Sequence, residues 1–168
     1  VQVKGNTFNV DGVLLSLTDG RSATCFAYEN DYNNVVLFDL MFDTENGTHV
    51  VLSVSDQAEN GSLETVAGFF QALGILVIVI IDVPGIVIMR TVCMLANEAA
   101  DAVNQSVATA NDIDQAMRMG VNYPLGPLAW ADLIGIERVR QVLMNLQAAY
   151  GEDRYRCSPL IHHKTYSN

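Results

Sequence analysis

The sequence has 168 residues, of which 50% are hydrophobic and 17% are charged, and its mean hydropathy is +0.22. This composition excludes a disordered chain and predicts one or two compact domains. Nineteen acidic against nine basic residues give a net charge of −10, which repels the phosphate backbone of nucleic acids. The longest apolar run, residues 75–81, is shorter than the roughly 20 residues of a membrane helix. We therefore expect neither nucleic acid nor membrane as a partner.

Three cysteines, Cys25, Cys93 and Cys157, lie far apart and form no CxxC pair. This pattern argues against a disulfide framework and against a zinc site, and it favours free thiols in a reducing cytoplasm. The chain starts at Val1, with neither a secretory signal nor an initiator methionine. We therefore expect a cytoplasmic protein and a piece of a longer polypeptide.

Charge and pattern both change near residue 83. Residues 1–82 carry eleven acidic and two basic side chains, whereas residues 83–168 carry eight and seven. Pro84-Gly85 stands at the change, and such a pair ends one element and permits another. We predict an α/β domain over 1–82 and an all-α domain over 83–168.

The first domain is predicted from four apolar runs and two amphipathic segments. The runs are rich in Val, Leu and Ile, as is typical of strands. They span residues 13–17, 35–40, 49–54 and 75–81. Segments 21–30 and 62–73 show helical spacing, and Gly74 follows the second as a helix-ending glycine. This alternation favours a small, mostly parallel sheet.

After residue 83 the apolar spacing is helical throughout. Four helices are predicted, over residues 86–103, 109–120, 127–135 and 136–150. Thr109 and Asp112 form a capping box at the start of the second, and Ile113, Ala116 and Met117 are expected to be its buried stripe. Because such helices cannot bury their stripes singly, the length of the first predicts a partner helix from another subunit.

The chain shows no recognisable catalytic, nucleotide or metal motif. Its twelve glycines contain no GxGxxG fingerprint and no GxxxxGK[ST] phosphate loop, so no dinucleotide site is predicted. His49 is expected at a strand edge rather than as a catalytic base. The pair His162-His163 is expected in a solvated terminal segment rather than at a metal.

The other polar and aromatic candidates have ordinary explanations. A general acid–base group could be formed by the carboxylates of Asp39, Asp43 and Glu45. Such charges more often keep strand ends and turns solvated, and we expect that role here. Tyr123 and Trp130 flank a proline-rich turn. Their rings can stack on a ligand, although core or interface packing is favoured.

Six motifs follow one another in the second half of the chain. They are VPGIVIMR (83–90), NEA (97–99), DIDQAMRMG (112–120), YPLGPLAWADLIG (123–135), YGEDRYR (150–156) and SPL (158–160). In this order they resemble the helical C-terminal domain of the 3-hydroxyacyl-CoA dehydrogenases. Residues 1–82, best in 15–21, are similar to the reduced Rossmann-like sheet, without a nucleotide site, of long bacterial members that act in phenylacetate breakdown.

The resemblance implies NAD-dependent oxidation of the 3-hydroxyl group of an acyl-CoA. In the family, NAD and a catalytic His–Glu pair lie in an N-terminal Rossmann domain, so no catalytic or NAD-binding residue is carried over to this chain. In family members whose helical domain takes part in catalysis, an Asn near the substrate carbonyl directly precedes the arginine of the motif that corresponds to residues 83–90. Here that position is Met89, whose thioether donates no hydrogen bond. Arg90 matches the family and is expected to pair with a nearby acid at the helix start.

We therefore expect the C-terminal part of such a dehydrogenase: a small, reduced Rossmann-like parallel sheet followed by the helical domain. It would be a second, degenerate copy of the dehydrogenase unit, which packs against the catalytic copy of that unit in the same parent enzyme. We also expect it to form a homodimer and to contact the acyl-CoA, while NAD binds elsewhere in the parent enzyme. Segments 86–103 and 124–135 would bury apolar area at the interface. The alternative is a stand-alone CoA-binding or dimerisation module. The candidate substrate or interface residues are Met89, Arg90, Tyr123, Pro124, Gly126 and Pro127.

Overall fold

The computed structural model describes residues 2–4, 7–41 and 49–167 of the chain. The chain forms two compact units, Val1–Met89 and Arg90–Asn168.

Within the described residues, the first unit is built on a six-stranded sheet whose spatial order follows the chain. The strands are β1 Gln2–Lys4, β2 Thr7–Val10, β3 Val13–Leu17, β4 Val35–Phe38, β5 His49–Val54 and β6 Leu76–Val79. β3 pairs with β4, and β5 with β6, in parallel, whereas the other three pairs are antiparallel. The expected α/β class is confirmed, but the sheet is mixed rather than mostly parallel.

Short connections produce the antiparallel pairs. β2 and β3 are joined by Asp11 and Gly12, with φ values of 48° and 87°, as a two-residue hairpin turn requires. The connection from β4 to β5 covers residues 39–48, which is shorter than the dozen or more residues of a parallel crossover.

Two helices, α1 Ala23–Glu29 and α2 Ser62–Ala72, cover the two faces of this sheet. Successive residues of β4 point to opposite faces. Val35 and Leu37 join the α1 side of the core, with Ala23, Phe26 and Ala27. Val36 joins the α2 side, where Leu52, Val66 and Phe70 are buried.

The helices of the second half begin with α3 Ile88–Asn104, which is followed by α4 Ala110–Val121, α5 Pro127–Ile134, α6 Ile136–Tyr150 and α7 Pro159–Tyr166. The first four confirm the predicted helices. α7 was not expected. Both His162 and His163 lie in this helix; His163 is exposed, as expected of a solvated segment, whereas the half-buried His162 accepts a hydrogen bond at Nδ1 from Arg140 Nε at 3.1 Å. No helix among the described residues is long and apolar enough to span a membrane.

The structure corrects two expectations about α3 and α4. The apolar stripe of α3, which includes Val92, Cys93 and Ala96, is buried within this chain and does not await a partner. No residue of α4 is buried, although a buried stripe was predicted there. The reason is that α4 packs mainly against α5, which covers only part of it. The helix also continues past Gly120 and ends at Asn122, whose φ of 58° is left-handed.

Candidate functional site

An open groove with a volume of about 640 Å³ lies between α4 and α5. Three of the predicted candidates, Tyr123, Pro124 and Gly126, line this groove, and Pro127 follows as the first residue of α5. Met89 and Arg90 belong to α3 and do not line it. The structure thus brings four of the six candidates together.

Asp114 of α4 lines the groove and connects α4 to the start of α5. Its Oδ1 accepts a hydrogen bond from the backbone N–H of Leu128 at 2.8 Å, and its Oδ2 from that of Ala129 at 2.9 Å. The carboxylate therefore caps the N-terminus of α5, where negative charge is stabilised by the helix dipole. A Cβ at Gly126 would overlap this carboxylate, so only glycine fits there. Gly126 and Pro127 act as scaffold residues of the groove.

The rim of the groove holds one aromatic pair. The rings of Tyr123 and Trp130 lie 5.2 Å apart at 48°, and Trp130 is buried in α5. The contact fixes the turn between α4 and α5 and leaves the half-buried Tyr123 facing the groove.

The polar lining of the groove was missed by the sequence analysis. Asn111, Gln115, Arg118 and Asn122 lie along one face of α4 and line the groove. Their spacing of four, three and four residues was the available signal, since residues three and four apart share a helix face. Arg118 forms no ion pair with any residue that the structure describes. The carboxylate of Asp114, which also lines the groove, is held by two backbone N–H groups, so Arg118 can meet an anionic group.

Asp39, at the end of β4, is fully buried. Its carboxylate accepts hydrogen bonds from the backbone N–H groups of Val87, Ile88 and Met89 at 2.6 to 2.9 Å, and from that of Leu40 at 2.8 Å. The expectation that Asp39 solvates a strand end is wrong, because it caps the first turn of α3. Asp43 and Glu45, the other members of the predicted acidic cluster, lie outside the described residues.

The two candidates on α3 also have structural partners. The Met89 side chain is fully buried, and its backbone N–H is held by Asp39. Arg90 Nη1 donates to the Tyr150 hydroxyl at 3.1 Å, and the Tyr150 ring stacks on Tyr155 at 5.1 Å. Arg90 was expected to pair with an acid, but the structure gives it a tyrosine.

Asn97 joins two of the shared motifs. Its Nδ2 donates to the Arg156 carbonyl at 2.9 Å, and its Oδ1 accepts from the Ser158 N–H at 2.7 Å. Because Asn97 is buried in α3, it fixes the segment before α7. Like Asp114, Asn97 forms its hydrogen bonds with backbone groups of this chain.

The thiols are poorly suited to nucleophilic chemistry. Burial raises the pKa of the Cys157 thiol to about 11, and it also raises the pKa of Cys25. Cys93 is buried as well. Among the residues that the structure describes, no three His, Cys, Asp or Glu side chains lie close enough together to hold a metal ion.

Comparisons with known proteins account for nearly the whole chain. Residues 15–84 match the 3-hydroxybutyryl-CoA dehydrogenase reduced Rossmann-fold domain, and residues 85–167 match the 3-hydroxyacyl-CoA dehydrogenase C-terminal domain. A 3-hydroxyadipyl-CoA dehydrogenase of Escherichia coli is 40% identical over 152 residues, which are 90% of this chain and 31% of that protein. A 3-hydroxybutyryl-CoA dehydrogenase of Clostridioides difficile is 28% identical over 152 residues, which are 90% of this chain and 54% of that protein.

The crystal structure of an Escherichia coli 3-hydroxybutyryl-CoA dehydrogenase superimposes with a TM-score of 0.91 and 38% identity, and covers 99% of this chain and 34% of that one. The chain thus spans 31% to 54% of the length of these relatives. The consecutive matches to two domains of one enzyme family confirm the resemblance seen in the motifs. The chain belongs to the 3-hydroxyacyl-CoA dehydrogenase family.

Proposed function

We propose that the chain is the C-terminal part of an NAD-dependent 3-hydroxyacyl-CoA dehydrogenase and acts there as a scaffold. It packs against the catalytic copy and contacts the acyl-CoA, while the catalytic His–Glu pair and NAD lie in another domain. One observation carries this proposal: polar residues of the family motifs, such as Asn97 and Asp114, hydrogen-bond to the backbone of this chain.

The first unit does not fit NAD. A dinucleotide fold places the pyrophosphate at the N-terminus of the helix after a strand. At the N-terminus of α1 the carboxylate of Asp82 accepts from the N–H groups of Ala23 at 2.6 Å and Thr24 at 2.8 Å. A negative protein group therefore occupies the position of a phosphate. The edge of β3 opposite β4 is also taken, because β2 pairs along it.

Oxidation of a secondary alcohol needs a base for the hydroxyl proton and an acceptor for the hydride. The position that carries an Asn in catalytic copies is Met89, which is buried and apolar. In the proposed enzyme this part therefore binds and positions, and it transfers no proton.

An activity assay tests the proposal. The 168-residue chain is mixed with NAD and a short 3-hydroxyacyl-CoA, and NADH formation is followed beside the complete gene product. We expect no NADH from the chain and turnover from the complete product. NADH production by the chain alone would refute the scaffold role, and an inactive complete product would refute the dehydrogenase assignment.

A stand-alone CoA-binding or dimerisation module is the second candidate, and the groove with Arg118 favours it. Titration of the chain with acetoacetyl-CoA in a calorimeter measures whether the chain binds CoA by itself, as this second candidate requires. Heat that is lost in Arg118→Ala but kept in Arg154→Ala, whose guanidinium is exposed and pairs with Glu152, would support CoA binding by the groove. A flat titration up to millimolar concentration would dismiss it.

We also propose that the protein is a cytoplasmic homodimer. α4 supplies an apolar surface for such an interface, because Met119 is 78% exposed and Val121 is 52% exposed. The cysteines are free, as suits a reducing compartment. Sedimentation of the complete gene product tests the dimer, and Met119→Asp should shift it toward monomer.

A further inference from the structure

β6 exposes a row of apolar side chains. Leu76 is 58% exposed, Ile78 45% and Val79 50%, and Ile81 just beyond the strand is 81% exposed. Within residues 7–41 and 49–167, no other strand has an exposed large apolar side chain. The core thus ends at β6 with apolar surface still in contact with water.

The backbone of β6 also has a free edge. Ile80 donates its N–H to the Leu52 carbonyl of β5 at 3.0 Å. In a parallel pair, the N–H and C=O of one residue point to the same side and the next residue points to the other. The N–H groups of Val77 and Val79 therefore point away from β5. Among the described residues, no strand pairs with this edge.

The usual protection of an edge strand is missing here. Exposed edges are normally blocked by charged side chains, proline or bulges. Residues 65–81 contain no Asp, Glu, Lys, Arg or Pro. The run 75–81 is entirely apolar, which is the composition of strands that pair with other strands when uncovered. This edge is therefore open to pairing with another strand.

Area and charge argue against a second copy as the cover. β6 and its flank offer four exposed large apolar side chains per copy, whereas a stable interface takes about 20–30 residues from each side. In addition, residues 1–82 carry eleven acidic and two basic side chains, so two such units repel each other. A segment of the same polypeptide avoids both problems, since tethering gives it an effective concentration of about a millimolar.

The related proteins contain such extra chain. This chain covers 34% of the Escherichia coli structure and 31% of the Escherichia coli relative that is 40% identical. We propose that, in the complete protein, an extended apolar segment from outside these 168 residues adds as a strand to the free edge of β6. The inference rests on the proposed function only in taking the chain as part of a longer protein.

Amide hydrogen exchange tests this pairing. The complete gene product is compared with the 168-residue chain at the amides of Val77 and Val79. We expect exchange at these two positions to be at least ~10-fold slower in the complete product, because a strand pair protects amides that are otherwise open to solvent. Ile78 and Ile80, whose N–H groups face β5, serve as the internal reference. Equal rates at Val77 and Val79 in both proteins, or a gene product of only 168 residues, would overturn the inference.

A pair of variants in the complete product sharpens the test. Val79→Pro removes an N–H on the free edge without touching the ladder to β5, and Val79→Ala keeps that N–H. We expect Val79→Pro to return Val77 to the exchange rate of the 168-residue chain and Val79→Ala to leave it slow. If Val79→Pro does not fold, the comparison of the unmodified proteins decides.

Dehydrogenase activity is read separately. An active product with an unprotected edge would refute only the strand pairing, and an inactive product with a protected edge would refute only the proposed function.

Discussion

At the level of single residues, three aspartate side chains stabilise the N-termini of helices that lie far from them in the sequence. Asp82 caps α1, Asp39 caps α3 and Asp114 caps α5. Each places a carboxylate on backbone N–H groups that the helix cannot satisfy itself. These acids would be counted as surface charge from composition alone, but they hold elements together.

Replacing Asp39 with asparagine should destabilise the protein strongly. The amide keeps one acceptor oxygen but turns N–H donors toward backbone N–H groups, and the site is fully buried. We expect Asp39→Asn to lower the free energy of unfolding by about 2–3 kcal/mol in urea titrations. Asp132→Asn, at an exposed position on α5, is the control and should change it little.

Two glycines that flank the groove should respond in opposite directions to alanine. Gly126→Ala drives a Cβ into the Asp114 side chain, and such overpacking costs about 1–3 kcal/mol. Gly120→Ala meets no atom within 4 Å and should stabilise α4 by about 0.5–1 kcal/mol. Urea unfolding of both variants checks the pair. A stable Gly126→Ala would contradict the close approach of Asp114.

Local caps were predictable from the sequence, whereas distant ones were not. Thr109 and Asp112 are three residues apart and form the predicted capping contact, with Thr109 Oγ1 2.7 Å from Asp112 Oδ2. Three of the four partners of Asp39 lie 48 to 50 residues away, and Arg90 meets Tyr150 across 60 residues. Sequence periodicity carries no information about such pairs, so the acid expected beside Arg90 was not found there.

At the level of elements, strong helical spacing located the helices, but it did not show what covers them. α4 has the predicted amphipathic pattern but no buried residue. An apolar stripe shows which face of a helix could be covered, but it does not specify which element covers it. β1 and β2 are three and four residues long, too short to show an alternation. α7 was missed although Ser158 and Pro159 provide an N-cap and a first-turn proline, which are the usual start signals.

Asn97 should control how firmly the segment before α7 is held. Asn97→Ala leaves the Ser158 N–H and the Arg156 carbonyl without their partner, at a cost of about 1–3 kcal/mol. We expect trypsin to cleave after Arg156 faster in this variant than in the unmodified chain. Gln147→Ala, at an exposed position on α6, should leave the cleavage rate unchanged, and an unchanged rate in Asn97→Ala would refute the tether.

At the scale of the whole molecule, the buried Cys157 makes stability depend on pH in the alkaline range. Burial raises its pKa from 9.0 to about 11, so between these values the unfolded chain loses the thiol proton while the folded chain keeps it. The contribution of Cys157 is complete below pH 9 and is lost as the pH rises through 11. The expected slope is about 1 kcal/mol per pH unit.

Urea unfolding at pH 8 and pH 10, under reducing conditions, measures this slope. Cys157→Ala removes the thiol and should show a smaller fall in stability between the two pH values. Other alkaline groups are common to both proteins, so only the difference is attributed to Cys157. Identical falls in the two proteins would contradict the shifted pKa.

The carboxylate at the start of α1 has an evolutionary consequence. Any mutation that cleared room there for a dinucleotide would at the same time remove the acceptor of two N–H groups at the start of α1 and the acceptor of the Ser53 hydroxyl, and would leave only the N-cap Ser22. Making room for a phosphate and weakening the contact of α1 with β5 and the segment after β6 would therefore be one event.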